Sequence, residues 1–346
     1  MRTLIICGGV SGLALAEALE AQGRDYLLVE ARGRFGGRIQ TQQFEGAEFD
    51  MGPACFWRGQ PRIAVQVKRF GLAVLEQYST GLQTVEDGQG RVQQVRGFAS
   101  MQGSLRLEGG LSVLTRRLAD TLPDARKRLN TQVEGLCRED GQLVAHLVGG
   151  ETLEADQVIL ALPPRVAANL KFEPALTDTT NAAMRGVSTW MAGQAKAMAI
   201  YDTPFWRHAG LSGDASSRFG PMVEIHDASP SQGGPYALFG FLGVPPEHRQ
   251  DEQTLRHHIQ AQLVRLYGDE AAKPAMLAFK DWAFDPLTAT EADHAPLYAH
   301  PRYGLPAAMD GMWEGRLHFA GTEVAPEFGG FIEGALEAAE AVLRKL

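Results

Sequence analysis

The sequence predicts an α/β protein, in which a doubly wound parallel-stranded domain is interrupted by an inserted, mostly antiparallel α+β domain. Three observations carry this reading. A strand–turn–helix–strand unit fills the first thirty residues, buried-strand runs of the same kind return near residues 158 and 318, and weaker alternating or amphipathic segments lie between them. The chain has 346 residues, 45% of them hydrophobic, enough for about two domains with a sizeable core. The expected boundaries are residues 1–58, 104–165 and 285–346 for the first domain and 59–103 and 166–284 for the inserted one. Both are therefore discontinuous.

Thr3-Leu4-Ile5-Ile6-Cys7 is a short apolar run of the type that forms a buried parallel strand. It starts directly after Met1-Arg2, so no signal peptide is expected. The run breaks at Gly8-Gly9, Val10 to Leu19 has the small and apolar residues of a packed helix, and Gly23 suits its C-terminal cap. Tyr26-Leu27-Leu28-Val29-Glu30 is a second buried strand ending in an acid, which completes a Rossmann-like βαβ unit. Arg91 to Leu107 alternates weakly, as antiparallel strands do, and Leu111 to Leu122 has helical spacing. Gln157 to Leu162 is a buried strand stopped by Pro163-Pro164, and Met191 to Tyr201 alternates as a strand. Asp251 to Tyr267 is an amphipathic helix, Leu317 to Gly321 a late buried strand, and Phe331 to Leu346 a terminal helix after Gly329-Gly330.

Composition removes several classes of function. Lys plus Arg is 33 against 41 for Asp plus Glu, a net charge of −8 without a basic run, so nucleic acid is not an expected partner. No apolar stretch approaches the ~20 residues of a membrane span. Three scattered cysteines (Cys7, Cys55, Cys137) build no disulfide framework and suit a reducing cytoplasm, and the nine histidines show no metal-ligand spacing with them, so no metal is expected. Glycine is in excess: 39 residues, about 11%, against a usual ~7%.

The glycines point to chemistry. In the turn after the first strand the G-x-G-x-x-G frame falls on Cys7, Gly9 and Gly12, with cysteine in the first position and Gly8 beside it. Such a turn lets backbone approach a pyrophosphate at a helix N-terminus, and Glu30, about twenty residues on, stands where an acid accepts from a ribose bearing free hydroxyls, as in FAD or NAD. Arg34-Phe35-Gly36-Gly37-Arg38-Ile39-Gln40-Thr41 follows, with arginines able to donate bidentately to phosphate around a glycine doublet. A third segment, His318 to Glu323 and then Gly329 to Ala335, opens the last helix, whose positive end would suit the N1–C2 edge of a flavin.

Together these segments resemble the flavin amine oxidase family, the group containing monoamine oxidase and polyamine oxidase, with protoporphyrinogen oxidase and phytoene desaturase as more distant relatives. Arg34-x-Gly36-Gly37-Arg38-x-x-Thr41 matches its glycine-doublet motif, and Phe319-Ala320-Gly321-Thr322-Glu323 with Gly330-Phe331-Ile332-Glu333-Gly334-Ala335 matches its C-terminal signature. Glu108-Gly109-Gly110-Leu111 and Val158 to Pro164 are also similar, so the resemblance runs from residue 2 to the C-terminus. It implies a Rossmann-like FAD-binding domain with an inserted substrate domain. The cofactor residues it implies are Gly8, Gly9, Val10, Ser11, Gly12, Glu30, Ala31, Arg32, Gly36, Gly37, Arg38, Val133, Trp282, Gly321, Thr322, Glu323, Phe331 and Ile332.

Lys196-Ala197-Met198-Ala199-Ile200-Tyr201 followed by Pro204-Phe205-Trp206 resembles the segment of monoamine oxidase whose lysine holds a water against flavin N5. Lys196 inherits that role by resemblance, and a lysine between Ala195 and Ala197 in an apolar strand suits an ammonium that reaches a water or cofactor. Two departures matter. The stretch Asp285 to Asp293, downstream of Trp282, lacks the cysteine of members with covalent flavin, so FAD is expected to be non-covalent. Phe331 supplies one wall of the aromatic cage facing the flavin, whereas the other maps near Ala292 and is missing. The stretch between Trp57 and Glu108 is also short for the family.

The function implied is oxidation of an amine C–N bond to an imine, with a hydride equivalent passing to flavin N5 and O2 as electron acceptor giving H2O2. Two alternatives stay open, namely desaturation of a C–C bond in a cyclic substrate and a flavoprotein serving as maturation or redox partner of another protein. Substrate identity and oligomeric state are left open.

Overall fold

The structure is a computed structural model and describes residues 1–139 and 141–346. Its first layer is a five-stranded sheet in the spatial order Leu317–Phe319, Gln157–Leu160, Arg2–Ile6, Asp25–Val29, Lys127–Arg128, with every neighbouring pair parallel. Alternation along these strands divides their side chains between two cores. Ile5, Leu28 and Ile159 face the helices Val10–Ala21, Ser112–Asp120 and Ile332–Leu343. Leu4, Ile6, Leu27, Val29, Val158 and Leu160 face the other way, toward Leu136, Leu143, Ala145 and Leu147 of a four-stranded sheet. That sheet runs in the order Thr152–Ala155, Gln142–Leu147, Val133–Glu139, Lys171–Glu173.

The largest sheet has seven strands, in the order Met276–Asp281, Ala195–Tyr201, Tyr236–Leu242, Met222–Asp227, Leu211–Ser217, Leu82–Glu86, Val92–Val95. Its pairs are antiparallel except the one joining Leu211–Ser217 to Leu82–Glu86. Ala195, Ala197 and Ala199 point at the helix Glu252–Tyr267, and their small side chains let Leu255, Ile259, Leu263 and Leu266 pack close. The alternate residues Met198 and Ile200 face Phe49, Met51 and Met101, and Lys196 falls on that same face by period.

Local geometry shortens several of the expected elements. The strand expected from Met191 begins at Ala195, because Met191 has φ +58° and its carbonyl accepts from the Gln194 amide in a turn. Arg91 to Leu107 resolves into the strands Val92–Val95 and Leu105–Leu107 with a loop between. The strand at Gln157 stops at Leu160, just before Pro163 and Pro164, and Pro164 opens a short helix. Asp251 caps its helix by accepting from the Thr254 amide, and Gly23 adopts φ +64° just beyond the first helix. Among the described residues no helix is long and apolar enough to cross a membrane.

One polar contact ties distant parts of the first core together. Glu333, in the first turn of the last helix, is fully buried and accepts from the Arg62 and Ile63 amides at 2.9 Å each, capping the helix Pro61–Arg69. Gln60, at the cap position of that helix, makes no side-chain cap bond of its own, so the last helix supplies the acceptor. Glu333→Ala should lower stability to urea by about 2 kcal/mol, since two backbone donors lose their acceptor and the Arg62 guanidinium keeps only Glu340. Glu333→Gln should cost less; equal stability of Glu333→Ala and the parent protein would refute the capping role.

Candidate functional site

The carboxyl ends of the parallel strands and the Lys196 face of the seven-stranded sheet enclose one deep cavity of about 1550 Å3, its opening to solvent included. Open α/β sheets bind ligands at that end of their strands. The cavity floor is the N-terminus of the first helix. Gly9 caps this helix without a side-chain acceptor, and Val10 and Ser11 line the cavity, so unpaired helix-terminal amides face it. The turn closes tightly: a Cβ on Gly12 would stand 2.0 Å from the Cys7 carbonyl oxygen. Gly8 accepts from the Gly36 amide at 2.8 Å, and a Cβ on Gly37 would lie 3.4 Å from the Gly9 Cα. Two glycine segments thus stack backbone on backbone over the helix end.

Cys7, in the first position of the frame, adopts φ +91°, a conformation ordinarily left to glycine. Cys7 lines the cavity, and burial pushes its thiol pKa up to about 12, so the thiol stays neutral. Glu30 is buried, and its carboxylate accepts from the Gly8 and Arg32 amides at 2.8 Å each, so it braces the glycine turn. Each of its oxygens keeps a second lone pair for a further donor. Ala31 follows it at the bend, outside the cavity lining.

The arginines divide their work. Arg34 donates to the carbonyls of Ile39 and Gly37 at 2.9 Å and to Gln40, so it shapes its own loop and does not face the cavity. Arg32 reaches the cavity wall while paired with Asp285 at 2.5 Å, and Asp285 in turn holds Lys280 at 2.8 Å. Those two cations keep the Asp285 carboxyl below its usual range. Arg38 pairs at 2.6 Å with Glu323, which is 0% exposed. The other Glu323 oxygen has no hydrogen-bond partner among the described residues and stands beside Gly321. Val133 packs in the second core with Leu4 and Val29, apart from the cavity lining.

The far wall is the last helix. Phe331 caps it without a side-chain acceptor, Thr322 donates to the Phe331 carbonyl at 2.7 Å, and Thr322, Phe331 and Ile332 line the cavity. Trp282 lies beside them with its indole N–H donating to the Met51 carbonyl at 3.0 Å. Phe331 is 39% exposed and stacks on His300 at 4.9 Å between centroids and 9° between planes. His300 also meets Trp190 edge-on at 4.9 Å and Tyr303 at 5.4 Å. Ala292 is exposed, its carbonyl accepts from Arg165, and it does not line the cavity. The ring beside Phe331 therefore comes from His300. That partner was not anticipated, although the aromatic run Tyr298 to Tyr303 just ahead of the C-terminal signature is a sequence signal for it.

Lys196 is 2% exposed and reaches the cavity, as the alternation of its strand requires. Its ammonium donates to the Gly52 carbonyl at 3.1 Å and lies 4.0 Å over the Phe239 ring. Burial lowers its pKa from the ordinary lysine value, opposed by the charge of Asp50. Burial likewise raises the Asp50 carboxyl, which accepts from the Leu111 amide at 2.9 Å. Cys55, Met101 and Phe241 complete the apolar surroundings of the lysine.

These features fit a flavin dinucleotide. Two uncapped helix ends open on one cavity, the glycine backbone leaves a cradle without side chains, and a buried acceptor on Glu323 has no donor among the described residues. The family described as flavin containing amine oxidoreductase matches residues 10–97 and 81–343. The chain belongs to this family. It is 31% identical over 243 residues to the putative flavin-containing monoamine oxidase AofH of Mycobacterium tuberculosis, which covers 68% of this chain and 50% of that protein. It is 26% identical over 250 residues to the probable flavin-containing monoamine oxidase A of Dictyostelium discoideum, covering 70% of this chain and 53% of that one. The chain thus spans about half the length of the curated relatives it matches.

Among solved structures, putrescine oxidase bound to putrescine superposes with a TM-score of 0.82 at 19% identity, over 99% of both chains. Cyclohexylamine oxidase from Brevibacterium oxydans IH-35A gives 0.81 at 19% identity, over 99% of this chain and 98% of that one. The fold is shared with these amine oxidases, and the cofactor of the family is FAD.

Gly12→Ala should cost about 1–3 kcal/mol in stability and strip flavin from the purified protein, because the added methyl overlaps the Cys7 carbonyl. Stoichiometric flavin absorbance in that variant would contradict the assigned cradle.

Proposed function

We propose that this chain is an FAD-dependent oxidase of an amine C–N bond. The observation that carries the reading is the buried Lys196 ammonium, held by Gly52 on the wall of the same cavity that the two uncapped helix ends floor and close. The parallel sheet and its helices (residues 1–58, 104–165 and 285–346) act as a Rossmann-like FAD-binding domain, and residues 59–103 and 166–284 as the inserted substrate domain. The first helix end and the glycine turn would hold the pyrophosphate, Glu30 would add a ribose contact to its bracing bonds, and the last helix end would favour negative charge on the flavin. The flavin would be held without a covalent bond, since Leu287 and Thr288 are what the segment after Trp282 brings to the cavity.

Bound FAD would supply the redox chemistry, a hydride equivalent from the carbon α to nitrogen and a proton from the nitrogen ending, with two electrons in all, on O2, so that the amine would become an imine and oxygen H2O2. The chain's own residues orient and exclude. Met101, Phe241, Met191 and Trp190 present an apolar wall that favours the neutral form of an amine over its ammonium. Lys196 holds a water at its ammonium near the reacting edge and favours negative charge developing on oxygen. A second reading, oxidation of a C–C bond in a flat cyclic substrate, is favoured by the half-built cage: Phe331 lines the cavity, whereas neither Ala292 nor the His300 ring stacked on Phe331 does.

The test is a panel of amines and cyclic substrates added to the purified flavoprotein, with anaerobic bleaching and peroxide measured. Bleaching by an amine and prompt peroxide on admitting air support the proposal; bleaching by cyclic C–C substrates alone supports the second reading. Lys196→Met should slow reoxidation by air at least ~10-fold while flavin content stays at the parent level. Unchanged oxygen reactivity would remove Lys196 from the mechanism.

A further inference from the structure

The four-stranded sheet carries a group of side chains that the flavin site does not use. Cys137 and Glu139 sit two residues apart on the strand Val133–Glu139 and so share a face. His146 comes from the neighbouring antiparallel strand Gln142–Leu147, where it pairs with Gly135. The Cys137 Sγ lies 3.1 Å from the Glu139 Oε1 and 3.1 Å from the His146 Nε2, and the three atoms all fall within 4.8 Å of one another. None of the three residues lines the flavin cavity.

Hydrogen bonding holds the group in one arrangement only, the thiol donating to the Glu139 carboxylate and the His146 Nε2–H donating to the sulfur, a weak acceptor. A cation at their common centre satisfies all three. The donor set selects its kind: one sulfur, one imidazole nitrogen and one carboxylate oxygen suit a borderline divalent ion and not calcium or magnesium, which take all-oxygen shells. Zinc bonds of about 2.3 Å to sulfur and 2.0–2.2 Å to nitrogen and oxygen place tetrahedral ligand atoms about 3.5 Å apart. The two spacings from sulfur, 3.1 Å each, need to widen by only about 0.4 Å. Cys137 is buried, His146 half-buried and Glu139 exposed, so the fourth position opens on solvent and is available to water.

We infer that Cys137, Glu139 and His146 form a zinc site with three protein ligands, bridging two strands of the four-stranded sheet and separate from the flavin chemistry. Binding takes in one Zn2+ and releases the thiol proton to solvent, with Glu139 as carboxylate and His146 as neutral imidazole.

The experiment uses the FAD-loaded protein, stripped with EDTA, desalted, and titrated with Zn2+ against a chromophoric chelator. One equivalent should bind, and Cys137→Ala or His146→Ala should weaken it at least ~10-fold with flavin content unchanged. Glu139→Gln, on the exposed side, tests the site without threatening the core and should also weaken binding. Zinc-edge X-ray absorption should show one sulfur neighbour at about 2.3 Å, lost in Cys137→Ala. Absence of zinc binding, affinity unaltered in all three variants, or a bound zinc without a sulfur neighbour would each overturn the assignment.

Discussion

At the end of the first strand the chain must reverse into a helix while leaving that helix's first amides open to a ligand, and this requires backbone to pass backbone with nothing between. Gly12 lies against the Cys7 carbonyl at a distance no side chain tolerates, and Gly37 lies against Gly9 just beyond it. The rest of the cavity follows from this crossing. Because the turn is closed by glycine, Val10 and Ser11 reach the cavity floor, and because the Gly36 amide bonds the Gly8 carbonyl, the loop carrying Arg38 is fixed above it. Cys7 shows how strong the constraint is, holding a left-handed backbone in spite of its Cβ.

Buried carboxylates then join segments that are far apart in the chain. Glu30 ties the turn to the end of the second strand, Glu323 anchors Arg38, Asp285 gathers Arg32 and Lys280, and Glu333 caps the helix that begins at Pro61. In each case the acid accepts from a cation or from backbone N–H groups, which is what makes its burial tolerable. Residues of the C-terminal signature therefore do two things at once, with the backbone lining the cavity and the side chains holding its walls in register.

Much of this was legible in the sequence, and the boundary of legibility is physical. The parallel strands announced themselves through short apolar runs, and the cradle through glycines whose spacing has a steric reason. Gly9, Val10, Ser11, Gly37, Thr322, Phe331 and Ile332 all line one cavity together with Lys196 and Trp282. The ring beside Phe331 was legible only as the aromatic run Tyr298 to Tyr303, because the His300 stack depends on how an irregular segment folds back and no periodicity records it. The capping role of Glu333 was hidden for a related reason: its partners lie about 270 residues away in the chain. The strand start at Ala195 was missed because the alternation continues through a turn at Met191 that only the backbone reveals.

Two uncapped helix ends, one at Gly9 and one at Phe331, open on a single cavity that fits both halves of a flavin dinucleotide. The most direct measurement is the equilibrium titration of flavin-free protein with FAD and, separately, with FMN, followed by flavin fluorescence. FAD should bind one per chain and FMN at least ~10-fold more weakly, because FMN lacks the adenosine half and its pyrophosphate link, leaving the helix end at Gly9 short of its full anionic partner. Equal affinity for the two, or no saturable binding of FAD, would contradict it.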